Sequence, residues 1–222
     1  MSRVAKNIKE AEYDADLEKA IKALKKADKK LALVIKHVGA CTLKPDDIQS
    51  PFVALAESIV YQQLSGKAAA TIFGRVKSLF DQAGGLSAKA VINTPVELLR
   101  GAGCSNAKAL ALIDLAEKTV SGVVPSLAQM HTMSDDELLE RLVSIRGIGK
   151  WTVEMLLIFR LGRMDVVPAT DYGIRKGFAL TYGLPDLPAP KVILAHSEIW
   201  KPYRTLASWY LWRALELPLE LW

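Results

Sequence analysis

Along most of the chain, apolar residues recur at intervals of three and four, the spacing of one buried helix face. Leu17, Ile21, Leu24, Leu31 and Ile35 follow this rule and predict one helix from Asp14 to Ile35. Its other face carries Lys19, Lys22, Lys25, Lys26, Lys29 and Lys30. Ser50-Pro51 reads as a helix start, because proline in the first turn forfeits no intrahelical bond. The stripe Phe52, Leu55, Ala56, Ile59 and Val60 carries that helix to Gly66-Lys67, where the glycine is expected to break it. Further helices are expected over 68–80, ended by Gly84-Gly85, and over 106–120. Thr94-Pro95-Val96-Glu97 and Ser134-Asp135-Asp136-Glu137 each read as a capping box. The second opens an amphipathic helix that runs into Arg146-Gly147-Ile148-Gly149-Lys150, and a strongly apolar helix over 151–161 runs out. Asp165-Val166-Val167-Pro168 reads as extended, and Thr170 or Asp171 as the cap of the next helix. Pro185, Pro188 and Pro190 mark a loop before helices over 192–200 and 203–217. Strand signals are nearly absent, so the expected class is all-α.

Composition narrows the setting. The 222 residues suit one large domain or two lobes, and with half of them apolar a sizeable core is available. A net charge of +5 is mildly basic and suits a polyanionic partner. Cys41 and Cys104 form no CxxC, no zinc spacing and no iron–sulfur quartet. No apolar run is long enough to span a bilayer, and Met1 to Glu10 lacks the core of a secretory signal. A soluble intracellular monomer with no membrane partner is expected, in cytoplasm, nucleoid or nucleus.

Two stretches could carry chemistry. Helices joined by a tight Gly-x-Gly turn leave backbone N–H groups of the second helix without intrahelical partners, at the positive end of its dipole. Gly147, Gly149 and the N–H groups around Thr152, with Lys150 beside them, therefore form a candidate phosphate site. The alternative is a plain helix–helix corner. Leu99-Arg100-Gly101-Ala102-Gly103-Cys104 is a second such turn, a short echo of the first. Asp171 is either a cap only, or a cap whose carboxylate also stabilises a developing cation or positions a water.

The order of hairpin (Leu142 to Trp151), apolar helix, Val/Pro link and Asp171 resembles the helix-hairpin-helix (HhH-GPD) superfamily of DNA glycosylases. Ile59-Val60-Tyr61-Gln62-Gln63-Leu64-Ser65, Gly147-Ile148-Gly149-Lys150-Trp151-Thr152 and Trp200-Lys201-Pro202-Tyr203-Arg204 are similar to its 3-methyladenine DNA glycosylase II (AlkA-like) branch. The resemblance runs from Ser50 to Trp212. It implies hydrolysis of the N-glycosidic bond of alkylated purines, of the 3-methyladenine and 7-methylguanine type, in double-stranded DNA. Such a base must leave the stack. The resemblance puts the wedge that replaces it on Gln63, with Gln62 beside it, where related enzymes often have Leu. It carries the base pocket to Trp151 and Trp212, with Met155 where related enzymes often have another aromatic. Asp171 would be the catalytic carboxylate. Strand-cutting members carry a Schiff-base lysine where this chain has Trp151, so an abasic product without lyase activity is implied. No cofactor is required for that chemistry. Carbonyls of Val143, Ile145 and Ile148 would hold a structural Na+ or K+ when DNA is bound.

The expected organisation is one unit over 1–222 with two helical lobes: one about 48–162, with the helix-hairpin-helix at 134–161, the other about 1–47 plus 163–222. A cleft between them is expected to hold Asp171, Trp151 and Trp212. Three other functions fit parts of the pattern: a non-enzymatic helix-hairpin-helix DNA-binding module, a glycosylase for deaminated or oxidised bases, and a helical interaction protein.

Overall fold

In the computed structural model, which describes residues 16–46, 48 and 50–218, the described residues form helices and their connections, with no strand. The described residues divide into two units: one from Asp46 to Leu161, and a second made of those up to Pro45 and from Gly162 onward.

The first unit is built on α3 (Pro51–Tyr61), α4 (Gly66–Ser78), α5 (Ala88–Val91), α6 (Val96–Gly101), α7 (Asn106–Val120), α8 (Leu127–Thr132), α9 (Asp135–Leu142) and α10 (Lys150–Phe159). α7 is its spine: α3, α5 and α6 pack on it. Leu55, Ile59, Leu99, Leu112, Leu115 and Leu138 are fully buried there. Caps set most helix starts. Ser134 and Glu137 exchange both bonds of the box that opens α9. The box expected at Thr94 does not form: Pro95 is the cap residue, and the Thr94 hydroxyl is spent on Ala90 O, 2.9 Å away. The break after α3 also differs from expectation. It falls at Gln62, and Gly66 opens α4 with Ser65 as its cap.

The second unit holds α1 (16–27), α2 (Lys29–Val38), α11 (Tyr172–Tyr182), α12 (Pro190–His196) and α13 (Arg204–Ala214). The single lysine-faced helix expected over 14–35 is two helices, and its start at Asp14 lies outside the described residues. Asp28 takes an extended conformation (φ −137°, ψ 107°), and its carboxylate accepts from the N–H groups of Lys30 and Leu31 at 3.1 and 3.0 Å. The other carboxylate oxygen accepts from the Tyr182 hydroxyl, from Trp200 Nε1 at 2.9 Å and lies 2.9 Å from His196 Nε2. Burial pushes the Asp28 carboxyl up, but the hydrogen bonds from Tyr182, His196, Leu31 N–H and Trp200 outweigh it and hold it below the usual carboxylate range. Burial, and then the bond to Asp28, drives the Tyr182 hydroxyl far up. This one carboxylate thus ties the start of α2 to α11, α12 and the 3-10 turn Ser197–Trp200.

α11 and α13 cross closely because α11 has glycines at 173 and 177. A Cβ added to Gly177 would lie 2.1 Å from the Leu211 carbonyl oxygen. A Cβ on Gly173 would lie 2.8 Å from Trp212 Cδ1.

Candidate functional site

The hairpin 143–149 closes with Gly147 in the left-handed region, φ 78°. α7 braces it from behind. Asp114 accepts from the Arg146 N–H at 2.7 Å, and the Lys118 ammonium donates to Ser144 O while pairing with Asp114 at 3.2 Å. Gly149 is the N-cap of α10 and supplies no side chain to cap it. α10 thus starts without the side-chain cap that α9 carries, so its first-turn N–H groups suit an external acceptor. Lys150 stands at that start, its ammonium 3.7 Å from Glu154 Oε1. Thr152, in the first turn, is buried. Of the carbonyls expected to hold a cation, Ile145 O accepts from Ile148 N–H at 3.0 Å and keeps a second lone pair.

Across the same unit lies the turn Tyr61–Leu64. Leu64 N–H reaches Tyr61 O at 3.4 Å, with Gln62 at φ −54°, ψ 132° and Gln63 at φ 57°. That is type II geometry, whose third position normally takes Gly or Asn. Holding glutamine there costs about 1–2 kcal/mol. The turn is pinned from two sides. Gln62 Nε2 donates to Gly147 O at 2.8 Å, and Lys108 Nζ donates to Val60 O and Gln62 O at 2.8 and 2.7 Å. Burial pulls the Lys108 ammonium below its usual range, which the neighbouring Cys104 partly offsets. The Gln63 side chain is exposed at the tip.

Between this turn and α10 is a hollow of about 460 Å³ lined by Ser58, Tyr61, Gln62, Gln63, Trp151, Thr152 and Met155. Trp151 is 45% exposed, unusual for an indole that packs only into a core. The structure therefore brings Trp151, Met155, Gln62 and Gln63 together. Ser58, one helical turn earlier on α3, and Tyr61, its last residue, join them, and both were passed over in the sequence as pocket walls.

Asp171 and Trp212 belong to the second unit. The link before Asp171 is fastened to α13: Arg204 holds Asp165 by two bonds at 2.7 and 2.9 Å, and Val166 N–H donates to Thr205 Oγ1 at 3.0 Å. Asp171 then caps α11. Its Oδ1 accepts from Ile174 N–H and from Trp212 Nε1, both at 2.9 Å. Trp212 is thus placed as a hydrogen-bond donor to the carboxylate. Gly173 and Gly177, unremarked in the sequence, are what allow α13 to bring the indole there. Among the described residues no group of three His, Cys, Asp or Glu side chains could hold a metal ion. No described helix is long and apolar enough to cross a membrane.

A family model described as "HhH-GPD superfamily base excision DNA repair protein" matches residues 56–202. DNA-3-methyladenine glycosylase 1 of Schizosaccharomyces pombe is 39% identical over 209 residues, 93% of this chain and 91% of that protein. Among solved structures, the 3-methyladenine DNA glycosylase of the same yeast, in complex with abasic DNA, aligns with a TM-score of 0.79 at 39% identity, covering 90% of this chain and 98% of that one. A DNA-3-methyladenine glycosidase from Bacillus halodurans aligns with a TM-score of 0.79 at 35% identity, covering 88% of each chain.

Proposed function

The chain belongs to the HhH-GPD superfamily of base excision DNA repair proteins, and on that premise we propose that it excises alkylated purines from double-stranded DNA and leaves an abasic site. It is a DNA glycosylase of base excision repair. The finer reading rests on Asp171. A carboxylate fixed by the start of α11 and by the Trp212 indole is suited to face a sugar that gains positive charge.

In this reading the hairpin N–H groups of Gly147, Gly149 and the first turn around Thr152, together with Lys150, hold phosphates without reading sequence. The residues fit a monovalent cation as well: carbonyls of Val143, Ile145 and Ile148 are hard oxygen donors of the kind Na+ and K+ accept. Such an ion would add positive charge beside a phosphate. Gln63 enters the stack where the damaged base leaves it. Trp151 and Met155 then pack on that flat, electron-poor ring through the indole face and the polarizable thioether.

The C1′–N bond breaks with its electron pair going to the base. An N-alkylated purine already carries positive charge and so departs neutral without a general acid. Asp171 stabilises the cationic sugar, water adds to C1′ and its proton passes to solvent or to the carboxylate. Trp151, in place of a lysine, supports hydrolysis over strand cleavage.

The test compares wild type with Asp171→Asn on DNA treated with a methylating agent. Asparagine keeps the helix cap, so the fold and DNA binding should persist. Release of 3-methyladenine or 7-methylguanine should fall by at least about 10²-fold, the scale for removing one electrostatic stabiliser. Equal activity in the two proteins would reduce Asp171 to a cap. Wild-type nicking of the strand would replace hydrolysis with lyase chemistry.

A further inference from the structure

The side chain of Gln62 does not share the exposed tip with Gln63; it reaches back to the hairpin. Its amide joins two left-handed turns, the strained one at Gln63 and the glycine turn at Gly147, through the 2.8 Å bond to Gly147 O. Lys108 holds the carbonyl on the other side of the same residue at 2.7 Å. The peptide that orients Gln63 is therefore fixed at one end to α7 and at the other to the turn proposed to sit on phosphate. Strained, over-determined backbone of this kind is found where a conformation is being used.

We propose that Gln62 is a positioning residue that couples seating of the 143–149 hairpin on DNA phosphate to insertion of Gln63 into the base stack. The inference rests on the reading of Gln63 as the wedge. When the hairpin settles against the backbone, Gly147 fixes the height of Gln62, and Gln62 sets the angle at which Gln63 enters. Base extrusion then follows correct docking and does not occur from a loosely held complex. Gln62 itself stays outside the stack.

A glutamate at this position is nearly isosteric but, when ionised, presents a carboxylate to the Gly147 carbonyl and cannot donate. Once protonated, it can donate again. The experiment uses a duplex with 2-aminopurine beside a tetrahydrofuran abasic-site analogue, where wedge entry unstacks the probe and raises its fluorescence without any bond being cleaved. Wild type should give the rise, and Gln63→Ala should abolish it. Gln62→Glu should insert about tenfold less favourably at pH 7.5, from a lost donor and an added repulsion. At pH 5, where about a sixth of an ordinary glutamate is protonated, its insertion should rise about two- to threefold over its value at pH 7.5. Gln62→Leu, which never donates, should stay low at both pH values. Affinity for undamaged duplex, followed by anisotropy, should match wild type in Gln62→Leu, which carries no added charge.

Insertion by Gln62→Glu equal to wild type at pH 7.5, or no recovery at pH 5, overturns the coupling. A weakened affinity for undamaged duplex in the neutral Gln62→Leu variant overturns it also, because Gln62 would then serve phosphate seating itself. No rise with wild type overturns wedge and coupling together. A rise without release of alkylated bases leaves the coupling standing and overturns only the proposed substrate.

Discussion

Replacing Gly177 with alanine puts a Cβ 2.1 Å from the carbonyl oxygen of Leu211, which is backbone and cannot swing away. Ordinary carbon–oxygen contact requires α11 and α13 to separate by about 1 Å, and overpacking of that kind costs about 1–3 kcal/mol. Alanine recovers about 1 kcal/mol of helix propensity over glycine, which offsets part of it. Gly74 on α4 provides the control, since a Cβ there meets nothing within 4 Å. Gly74→Ala should therefore stabilise the protein, while Gly177→Ala should lose about 0–2 kcal/mol net, a fall of up to about 8 °C in Tm for a chain of this size. The separation also withdraws Trp212 from Asp171, so base release should fall further than stability alone explains. Thermal unfolding and single-turnover release at a temperature where both variants are folded give the comparison. If Gly177→Ala is stabilised as much as Gly74→Ala and releases bases at the wild-type rate, the close crossing is not what holds the indole in place.

Trp212→Phe keeps most of the packing but removes the N–H that Asp171 Oδ1 accepts; release should drop about tenfold or more with duplex affinity unchanged, and an unchanged rate would leave Ile174 N–H as sufficient. Lys150→Ala should weaken binding to every sequence and lower the salt slope by about one phosphate contact, whereas an unchanged slope would assign Lys150 to its partner Glu154 alone. Asp28→Asn should lose about 2–4 kcal/mol at neutral pH, because an amide cannot accept from Tyr182, His196 and Trp200 together. The Asp28 carboxyl is held below its unfolded value. Its stabilisation is therefore present above about pH 4 and lost as pH falls through the folded pKa. In unfolding scans the gap between wild type and Asp28→Asn should narrow below about pH 4; a constant gap would mean that the carboxylate's charge is not what stabilises.

Elements whose signal is local were legible. The helix expected over 106–120 is α7, Asn106–Val120. The Ser134 box and the Asp171 cap formed where their side chains sit within three residues of the N–H groups they satisfy. The break at Asp28 was hidden because the apolar spacing runs on through it: Leu24 and Leu31 face one core from two helices. Thr94 carried a capping pattern whose hydroxyl found a nearer acceptor in the turn before it. The sequence named Gln62, Gln63, Trp151 and Met155 among the residues that line the hollow at Trp151, but not how they are held. Nothing local to Lys108 says that it ends on the carbonyls of Val60 and Gln62, and nothing in Trp212 says that its N–H, more than its ring face, is what Asp171 meets. Both depend on pairings between residues dozens of positions apart.

On the phosphate-site reading proposed for it, the start of α10, which has no side-chain cap, bears on how lesions are found. Its donors are main-chain N–H groups, blind to base identity and suited to every nucleotide step. A protein held mainly by such contacts has little reason to pause at any sequence. Ionic strength would then set how long it stays on a duplex, and how far it slides before leaving. Selectivity cannot be gained during that travel. On the proposed reading it comes in the brief stop at each base, from how readily that base leaves the stack for Gln63 and how well it then packs on Trp151 and Met155.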